Sequence, residues 1–261
     1  MTSPTYTTQL QAGLGRVDET RILFELWQPG MGTTGLQQAA LQSGRFPNVS
    51  ARRVRNLVTE CFAPRYLVED GAPAKLLRTL KEALSTRELE QTLFLYTCRA
   101  HRILADFVCE VYWSAYATGR DLLTNDDAHT WVVQANQAGK TTRSWSDGTI
   151  QNVASYLTGA CADYGLLERG HKTVRRIQPY RIEPRVAAIL AYDLHFKEHG
   201  DNSVLSHPDW GLFGLAREDV LDEMKRLALK GLLIVQAAGG VTRISWLHKS
   251  MEEVADVLAR S

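Results

Sequence analysis

The chain has few of the features that mark disulfide-rich, zinc-binding or membrane proteins. It has four cysteines in 261 residues, none of them in a CxxC pair. All four lie in helical patterns, so we expect reduced, buried thiols and neither a disulfide framework nor a zinc finger. The sequence also lacks the ~20-residue apolar run of a membrane span and the charged-then-apolar start of a signal peptide. We therefore expect a soluble, cytoplasmic protein with no membrane partner.

The chain also has almost no net charge, +1 in total, but its charge is unevenly spread. Residues 1–142 carry 15 basic and 14 acidic side chains, residues 143–189 carry 7 and 4, and residues 190–261 carry 8 and 11. The three segments are therefore +1, +3 and −3. A surface that binds a polyanion must be local and is expected in the middle segment.

Residues 143–185 have the pattern of a helix followed by a basic hairpin. One apolar helical face repeats through Ile150, Val153, Leu157, Cys161 and Tyr164. Gly165 is expected to end the helix, and short strands are expected around 166–168 and 173–177. This order predicts the second half of a winged helix, a unit that typically holds double-stranded nucleic acid.

The predicted hairpin is rich in cations, with six basic residues and one acid from Arg169 to Arg185. We expect Lys172, Arg175 and Arg176 to contact phosphates. The outward polar residues Thr149, Gln151 and Asn152 are candidates for groove contacts, with Arg143 and Ser146 at the entrance to the helix. Two alternatives remain: the cations only protect an exposed strand edge, or the unit docks proteins.

The N-terminal region predicts three short helices after a Ser/Thr-rich start, residues 1–12, that we expect to be poorly ordered. The helices are expected at Val17–Trp27, Thr34–Ser43 and Ala51–Phe62, the last with Ser50 as its N-cap. This resembles a helix-turn-helix arrangement, and Arg52, Arg53 and Arg55 in its third helix are candidate phosphate contacts. Alternatively, these arginines lie over apolar surface or pair with acids elsewhere.

From Pro73 to Gly119 the sequence is strongly helical. Ser85 and Glu88 form a predicted capping box for a long helix running from Leu89 to Trp113, with apolar residues on more than one side. A further helix, capped by Thr124 with Asp127, is expected to reach about Ala138.

Residues 186–261 repeat the central unit. Helices are expected at Arg185–His199 and Arg217–Lys230, then strands at Leu232–Gln236 and Val241–Trp246 around a turn at Ala237–Gly240. The second hairpin is nearly uncharged and its helix is acidic, so we expect a structural or protein-contact copy. The predicted regions are 1–70, helix-turn-helix-like; 71–140, a helical bundle; and 141–185 and 186–261, two winged-helix-like units with short β-hairpins. The fold class is mainly α.

Four sets of residues resemble chemical motifs only in part. Gly139-Lys140-Thr141 ends like a phosphate-binding loop but follows a predicted helix. Asp209 with Glu223 and Lys225 has the spacing of a metal-dependent nuclease, yet the last two fall in a helix. The pairs His195/His199 and Cys98/His101 have helical spacing without a third ligand. We therefore predict no catalytic residues, no metal site and no cofactor.

The whole chain resembles the BrxA family of accessory proteins in BREX bacteriophage-defence systems. The residues that carry the resemblance are Leu14-Gly15 to Glu19-Thr20, Arg52-Arg53-Val54-Arg55, Trp145-Ser146 to Thr149, Gly165-Leu166-Leu167, and Trp210 to Phe213-Gly214-Leu215. The resemblance implies a cytoplasmic, helix-rich protein without known catalytic chemistry, likened in part to the antitermination factor NusB, that binds double-stranded DNA. The predicted function is non-catalytic DNA binding in phage defence; the alternatives are a protein-interaction scaffold in the defence complex or a metal-dependent nuclease.

Overall fold

The computed structural model describes residues 6–12, 17–170, 172–238 and 241–260. The chain is mainly α-helical, as predicted, with small antiparallel sheets. It folds into two compact units: the first contains Met1–Arg78 and Leu93–Pro179, and the second contains Thr79–Thr92 and Tyr180–Ser261. Leu14, Gly15, His171 and Gly240, which belong to predicted motifs or turns, lie outside the described residues.

The first unit begins with residues that were expected to be poorly ordered, and part of that expectation is wrong. Tyr6 is fully buried, its hydroxyl donates to Asp106 over 2.7 Å, and its backbone pairs with residues 140 and 142. A 3-10 turn follows at Gln9–Ala12. Aromatic burial together with two backbone hydrogen bonds holds this segment against the fold.

The three predicted N-terminal helices are confirmed, as α1 (Val17–Leu26), α2 (Thr33–Gln42) and α3 (Ala51–Asn56). Ser50 caps α3 by accepting from the backbone N–H of Arg53. The helix continues through a widened π-type segment, Leu57–Phe62, into α4 (Ala63–Tyr66). The predicted inner side is buried: Val54, Leu57, Val58, Cys61.

The helical middle of the chain contains α5 (Ala72–Leu80), α6 (Thr86–Ala100), α7 (Arg102–Phe107), a π-type segment at Val108–Tyr112, and α8 (Trp113–Ala117). The Ser85–Glu88 capping box is present. The prediction of one helix from Leu89 to Trp113 is wrong, because His101 leaves the helical conformation (φ −128°, ψ 85°). Every residue from Leu89 to Cys98 is buried, as expected for a central helix.

A strand that the sequence did not predict organises the rest of the first unit. This strand, β1 (Leu122–Thr124), precedes α9 (Asn125–Gln137) and α10 (Asp147–Asp163), and it pairs antiparallel with β2 (Val174–Arg176). Thr124 and Asp127 form the predicted capping box. The predicted inner face of α10 is buried and Gly165 ends the helix at φ +82°. Leu167 bridges Ile177, so the expected hairpin forms beside β1.

The second unit has the predicted order of elements. After α11 (Pro184–Phe196) come α12 (Asp201–Leu205), a 3-10 segment at Pro208–Phe213, α13 (Arg217–Leu229), the paired strands β3 (Leu233–Ala238) and β4 (Val241–Trp246), and α14 (Met251–Arg260). Helices α12 and α14 were not predicted, and residues 200–203, which were expected to form a loop, are in part the start of α12. Gly231 ends α13 at φ +71°, as Gly165 ends α10.

The cysteine prediction holds for three of the four thiols. Cys61, Cys98 and Cys161 are buried, and the four cysteines are not joined in disulfides. Burial raises the pKa of the Cys161 thiol to about 12. Cys109 is exposed, contrary to expectation. Within the described part of the chain, every helix is too short or too polar to cross a membrane.

Candidate nucleic-acid interface

Helix α10 is fixed by the first residue of α9. The Asn125 side chain accepts from the Thr158 hydroxyl over 2.6 Å and donates to Ser155 over 3.3 Å. Its backbone N–H donates to the carbonyl of Thr173 over 2.8 Å. Asn125 therefore links α10 and the segment before β2 to the start of α9. These hydrogen bonds fix the orientation of α10 within the first unit.

The turn between α9 and α10 is fixed by Asn136. Its side-chain oxygen accepts from the Trp145 backbone N–H over 2.9 Å and from the Thr141 hydroxyl over 3.0 Å. Trp145 and Thr141 are buried, so this turn is anchored from inside. Arg143 and Ser146 are exposed at the entrance to α10, as predicted.

The outer side of α10 carries the predicted polar residues. Gln151 and Asn152 are exposed, and neither side chain hydrogen-bonds to another residue within the described ranges. Thr149 is half-buried, and its hydroxyl lies 3.1 Å from that of Ser146. The amides of Gln151 and Asn152 are therefore exposed, and their hydrogen-bonding groups are not used by other described residues.

Arg175 corrects the predicted set of phosphate contacts. Its side chain is only 6% exposed, and its Nη1 donates to the carbonyl oxygens of Glu168, over 3.0 Å, and of Gly170. The guanidinium also lies near the buried Cys161 thiol, whose pKa it lowers against the larger effect of burial. Arg175 therefore holds the hairpin turn together from inside and does not present its charge to a ligand.

The other hairpin cations differ in how much charge they offer. Lys172 is exposed, but its Nζ lies 2.6 Å from Glu168, and this hydrogen bond lowers the pKa of that carboxyl group. Arg176 is exposed and, among the described residues, has no carboxylate within salt-bridge distance. Exposed Arg169 donates to the carbonyl of Asp163. Arg176 is therefore the strongest predicted phosphate contact in the hairpin.

The last two cations of the predicted patch belong to the second unit. Arg181 lies 3.6 Å from Glu223. Arg185 lies 3.6 Å from Glu88 and donates to the carbonyl of Ala83. Both have carboxylate partners there, so the basic hairpin of the first unit is smaller than the sequence count indicated.

The arginines at the start of α3 keep their predicted exposure. Arg52, Arg53 and Arg55 are all exposed, whereas Val54 between them is buried. None of the three has an ion-pair partner within the part of the chain that the structure describes. The alternative of internal pairing is therefore not what is found. They lie in the same compact unit as α10 and the hairpin.

Residues of the partial chemical motifs make local contacts. Gly139 ends α9 with φ +69°, so Gly139-Lys140-Thr141 follows a helix, as the sequence indicated, and Lys140 lies 3.7 Å from Glu110. Buried Glu223 contacts Arg226 and Arg181, while Lys225 on the exposed side of α13 contacts Asp222 over 2.9 Å.

The histidine pairs are likewise occupied by packing. His195 stacks on Trp246 with ring centres 4.4 Å apart, and His199 Nδ1 lies 3.1 Å from the Ser203 hydroxyl. His101 is buried and accepts from Arg65 Nε over 3.4 Å, and burial followed by the Arg65 charge lowers its pKa to about 3. No cluster of three metal-binding side chains occurs among the described residues.

Sequence reasoning missed Asn125, Asn136 and Glu168 as residues that shape this surface. Asn125 follows the N-cap Thr124, a position where asparagine is ordinary, so nothing local marked its contact with α10. Glu168 precedes the counted cations by one residue and stands four before Lys172. That i,i+4 spacing was the available signal.

These elements define a mainly helical protein in which a helix pair is backed by a small antiparallel sheet. The chain matches the family model BrxA over residues 4–193. It therefore belongs to the BrxA family, and the resemblance is confirmed. Membership indicates a BREX-associated accessory protein.

One solved structure shows the fold independently. It is the crystal structure of an uncharacterized protein from Magnetospirillum magneticum, with a TM-score of 0.57 and 19% identity, and the match covers 74% of this chain and 95% of that one. At this identity the similarity speaks for the fold alone. A comparison with curated proteins gave no match.

Proposed function

We propose that this chain is a non-catalytic double-stranded DNA-binding accessory protein of a BREX bacteriophage-defence system. The observation that carries the proposal is the outer side of α10, which is exposed and polar and is followed by a hairpin with an exposed cation, Arg176. The order β1, α9, α10, hairpin is that of a winged helix, in which the second helix enters the major groove and the hairpin lies on phosphates.

The charges of the first unit support the same proposal. Arg143 precedes α10, Arg176 follows it, and Arg52, Arg53 and Arg55 add three exposed cations at the start of α3. These cations have no carboxylate partners in the described chain. Each cation that contacts a DNA phosphate releases a condensed counterion, and this release favours binding. We propose that these residues make the phosphate contacts. Lys172 joins them when it replaces its ion pair with Glu168 by one with a phosphate.

A salt-titrated gel shift with a duplex of mixed sequence tests this function. We expect binding that weakens steeply with salt, log K falling by ~0.9 per neutralised phosphate for each unit of log salt. The absence of a shift at physiological salt would refute DNA binding. The same duplex incubated with Mg²⁺ should remain intact; cleavage that disappears in Asp209→Ala would instead support the nuclease.

A second candidate function is docking of other defence proteins through the second unit. It is favoured by the first two turns of α13, where Glu218, Asp219 and Asp222 are exposed. Carboxylates there repel DNA phosphates but suit a basic protein surface. Co-purification with a co-expressed BREX protein, lost on changing all three to lysine, is the expected result. Retention by the triple variant argues against this surface.

A further inference from the structure

We infer that Gln151 and Asn152 read adenine edges in the major groove, which gives the protein a preference for A·T base pairs. This inference rests on the proposed DNA-binding function and adds specificity to it. Both amides lie in the N-terminal half of α10, the part of a recognition helix that reaches base edges. Both are exposed and make no hydrogen bond to another described residue.

The side chains that α10 exposes determine which base is preferred. Adenine presents an N7 acceptor and an N6 donor in the major groove, a pattern matched in a bidentate way by asparagine or glutamine, whereas guanine is matched by arginine or lysine. Helix α10 contains no arginine or lysine from Asp147 to Asp163. The guanine-reading side chains are therefore missing from this helix, and its two exposed amides carry the adenine pattern.

The space around the amides allows a close approach to DNA. Gly148 lies one helical turn before Asn152, and a Cβ added to it would meet no atom within 4 Å. The side chain that would otherwise stand between the helix backbone and the groove is therefore absent. Ser155, one turn after Gln151, is half-buried and small.

Asp147 is the charged residue of α10 that is closest in sequence to the two amides. It is exposed in the first turn of α10, one turn before Gln151. A carboxylate accepts a hydrogen bond from the cytosine amino group, so Asp147 would favour a C·G pair if it reached the bases. The experiment must therefore separate the amides from Asp147.

The second unit provides an internal contrast. Setting Gly231 on Gly165, the glycines that end α13 and α10, places Gln151 and Asn152 on Arg217 and Glu218. Arg217 is engaged with Asn202 and Ser206, with Nη1 2.8 Å from the Ser206 hydroxyl. The two adjacent free amides are therefore particular to the first unit.

The test is fluorescence anisotropy at fixed salt with duplexes of equal length and alternating A·T, G·C or I·C sequence. An I·C pair has the major-groove pattern of G·C and the minor-groove pattern of A·T, so it separates the two grooves. We expect A·T to bind tighter than both others by roughly fivefold to a hundredfold per bidentate contact. Replacing adenine by 7-deazaadenine removes the N7 acceptor and should abolish the preference of the wild-type chain.

The double variant Gln151→Ala/Asn152→Ala should lose the preference and keep the salt dependence, because the phosphate contacts remain. Its matched control is Gln134→Ala/Gln137→Ala, which removes two exposed amides from α9. Because the 7-deazaadenine measurement uses the wild-type chain, it shows whether the major-groove edge of adenine is read even if the double variant is misfolded; a preference retained by a folded double variant would overturn the assignment to Gln151 and Asn152.

Three results would overturn the inference while leaving DNA binding intact: equal affinity for all duplexes, I·C bound as tightly as A·T, or a preference that survives 7-deazaadenine. Preference for G·C that disappears in Asp147→Asn would assign the readout to Asp147 instead. Failure to bind any duplex at any salt concentration would overturn the proposed function itself.

Discussion

The Nη1 atom of Arg175 lies 3.0 Å from the carbonyl oxygen of Glu168, on the opposite side of the hairpin turn. An arginine from the middle of a basic run thus acts as an internal tie. Its neighbour Arg176 is exposed. We therefore expect the two adjacent arginines to have separable roles, Arg175 in stability and Arg176 in DNA binding.

We expect Arg175→Met to lower the free energy of unfolding by about 1.5–3 kcal/mol, the usual contribution of hydrogen bonds to a charged group. Arg176→Met should leave stability unchanged within about 0.5 kcal/mol and weaken DNA binding instead. Urea denaturation and gel shifts of both variants provide the measurements. Equal loss of stability in the two variants would contradict the structural assignment of Arg175.

The arginines at the start of α3 predict a change in salt dependence. Changing Arg52, Arg53 and Arg55 together to glutamine should lower the slope of log K against log salt by about 2 to 3, because each phosphate contact contributes about 0.9. The matched control changes three exposed cations of the second unit to glutamine: Lys225, Lys230 and Lys249. A control that lowers the slope as much as the test variant would show that the effect is one of net charge.

His101 predicts a pH-dependent stability. Its pKa in the fold, about 3, lies below the ordinary value of about 6.5, so the stability gained by burying neutral imidazole is complete above pH 6.5 and is lost as the pH falls toward 3. This group alone gives a slope approaching 1.4 kcal/mol per pH unit within that window. Denaturant unfolding across the window should be steep for wild type and flatter for His101→Gln.

A histidine that takes no part in this contact provides the control for the measurement. Replacing His129, which lies on α9, leaves the contact between His101 and Arg65 in place, so the steep profile should remain. A profile flattened equally by both substitutions would refute the assignment to His101.

The hydrogen bonds of Asn125 lead us to expect that its substitution lowers both stability and DNA affinity. We expect Asn125→Ala to cost about 1–2 kcal/mol of stability, because the substitution removes the hydrogen bonds to Thr158 and Ser155. DNA affinity should fall as well, since α10 loses its link to α9. Thr118→Ala, which removes only bonds to carbonyls of its own helix, should preserve affinity. Unchanged affinity in Asn125→Ala would show that α10 keeps its position without this contact.

The sequence by itself determined the helices of the first unit that carry the candidate surface. Ser50 before α3, the Thr124–Asp127 box before α9 and Gly165 after α10 act within one helical turn, so neighbouring residues suffice to predict them. The same holds for the buried stripe of α10, which is a periodicity within one helix. The bend at His101 was not predicted, because nothing in the neighbouring residues marks it.

Tertiary structure decided which side chains face outward in the hairpin. Polarity favours an inward Val174, yet Val174 is 46% exposed and Arg175 is buried. The direction is set by β1, about fifty residues earlier in the chain, which places buried Leu123 opposite Arg175. In a three-residue strand, alternation fixes only that neighbours point to opposite faces. The pairing with β1, together with the turn carbonyls that accept from Arg175, determines which face is inside.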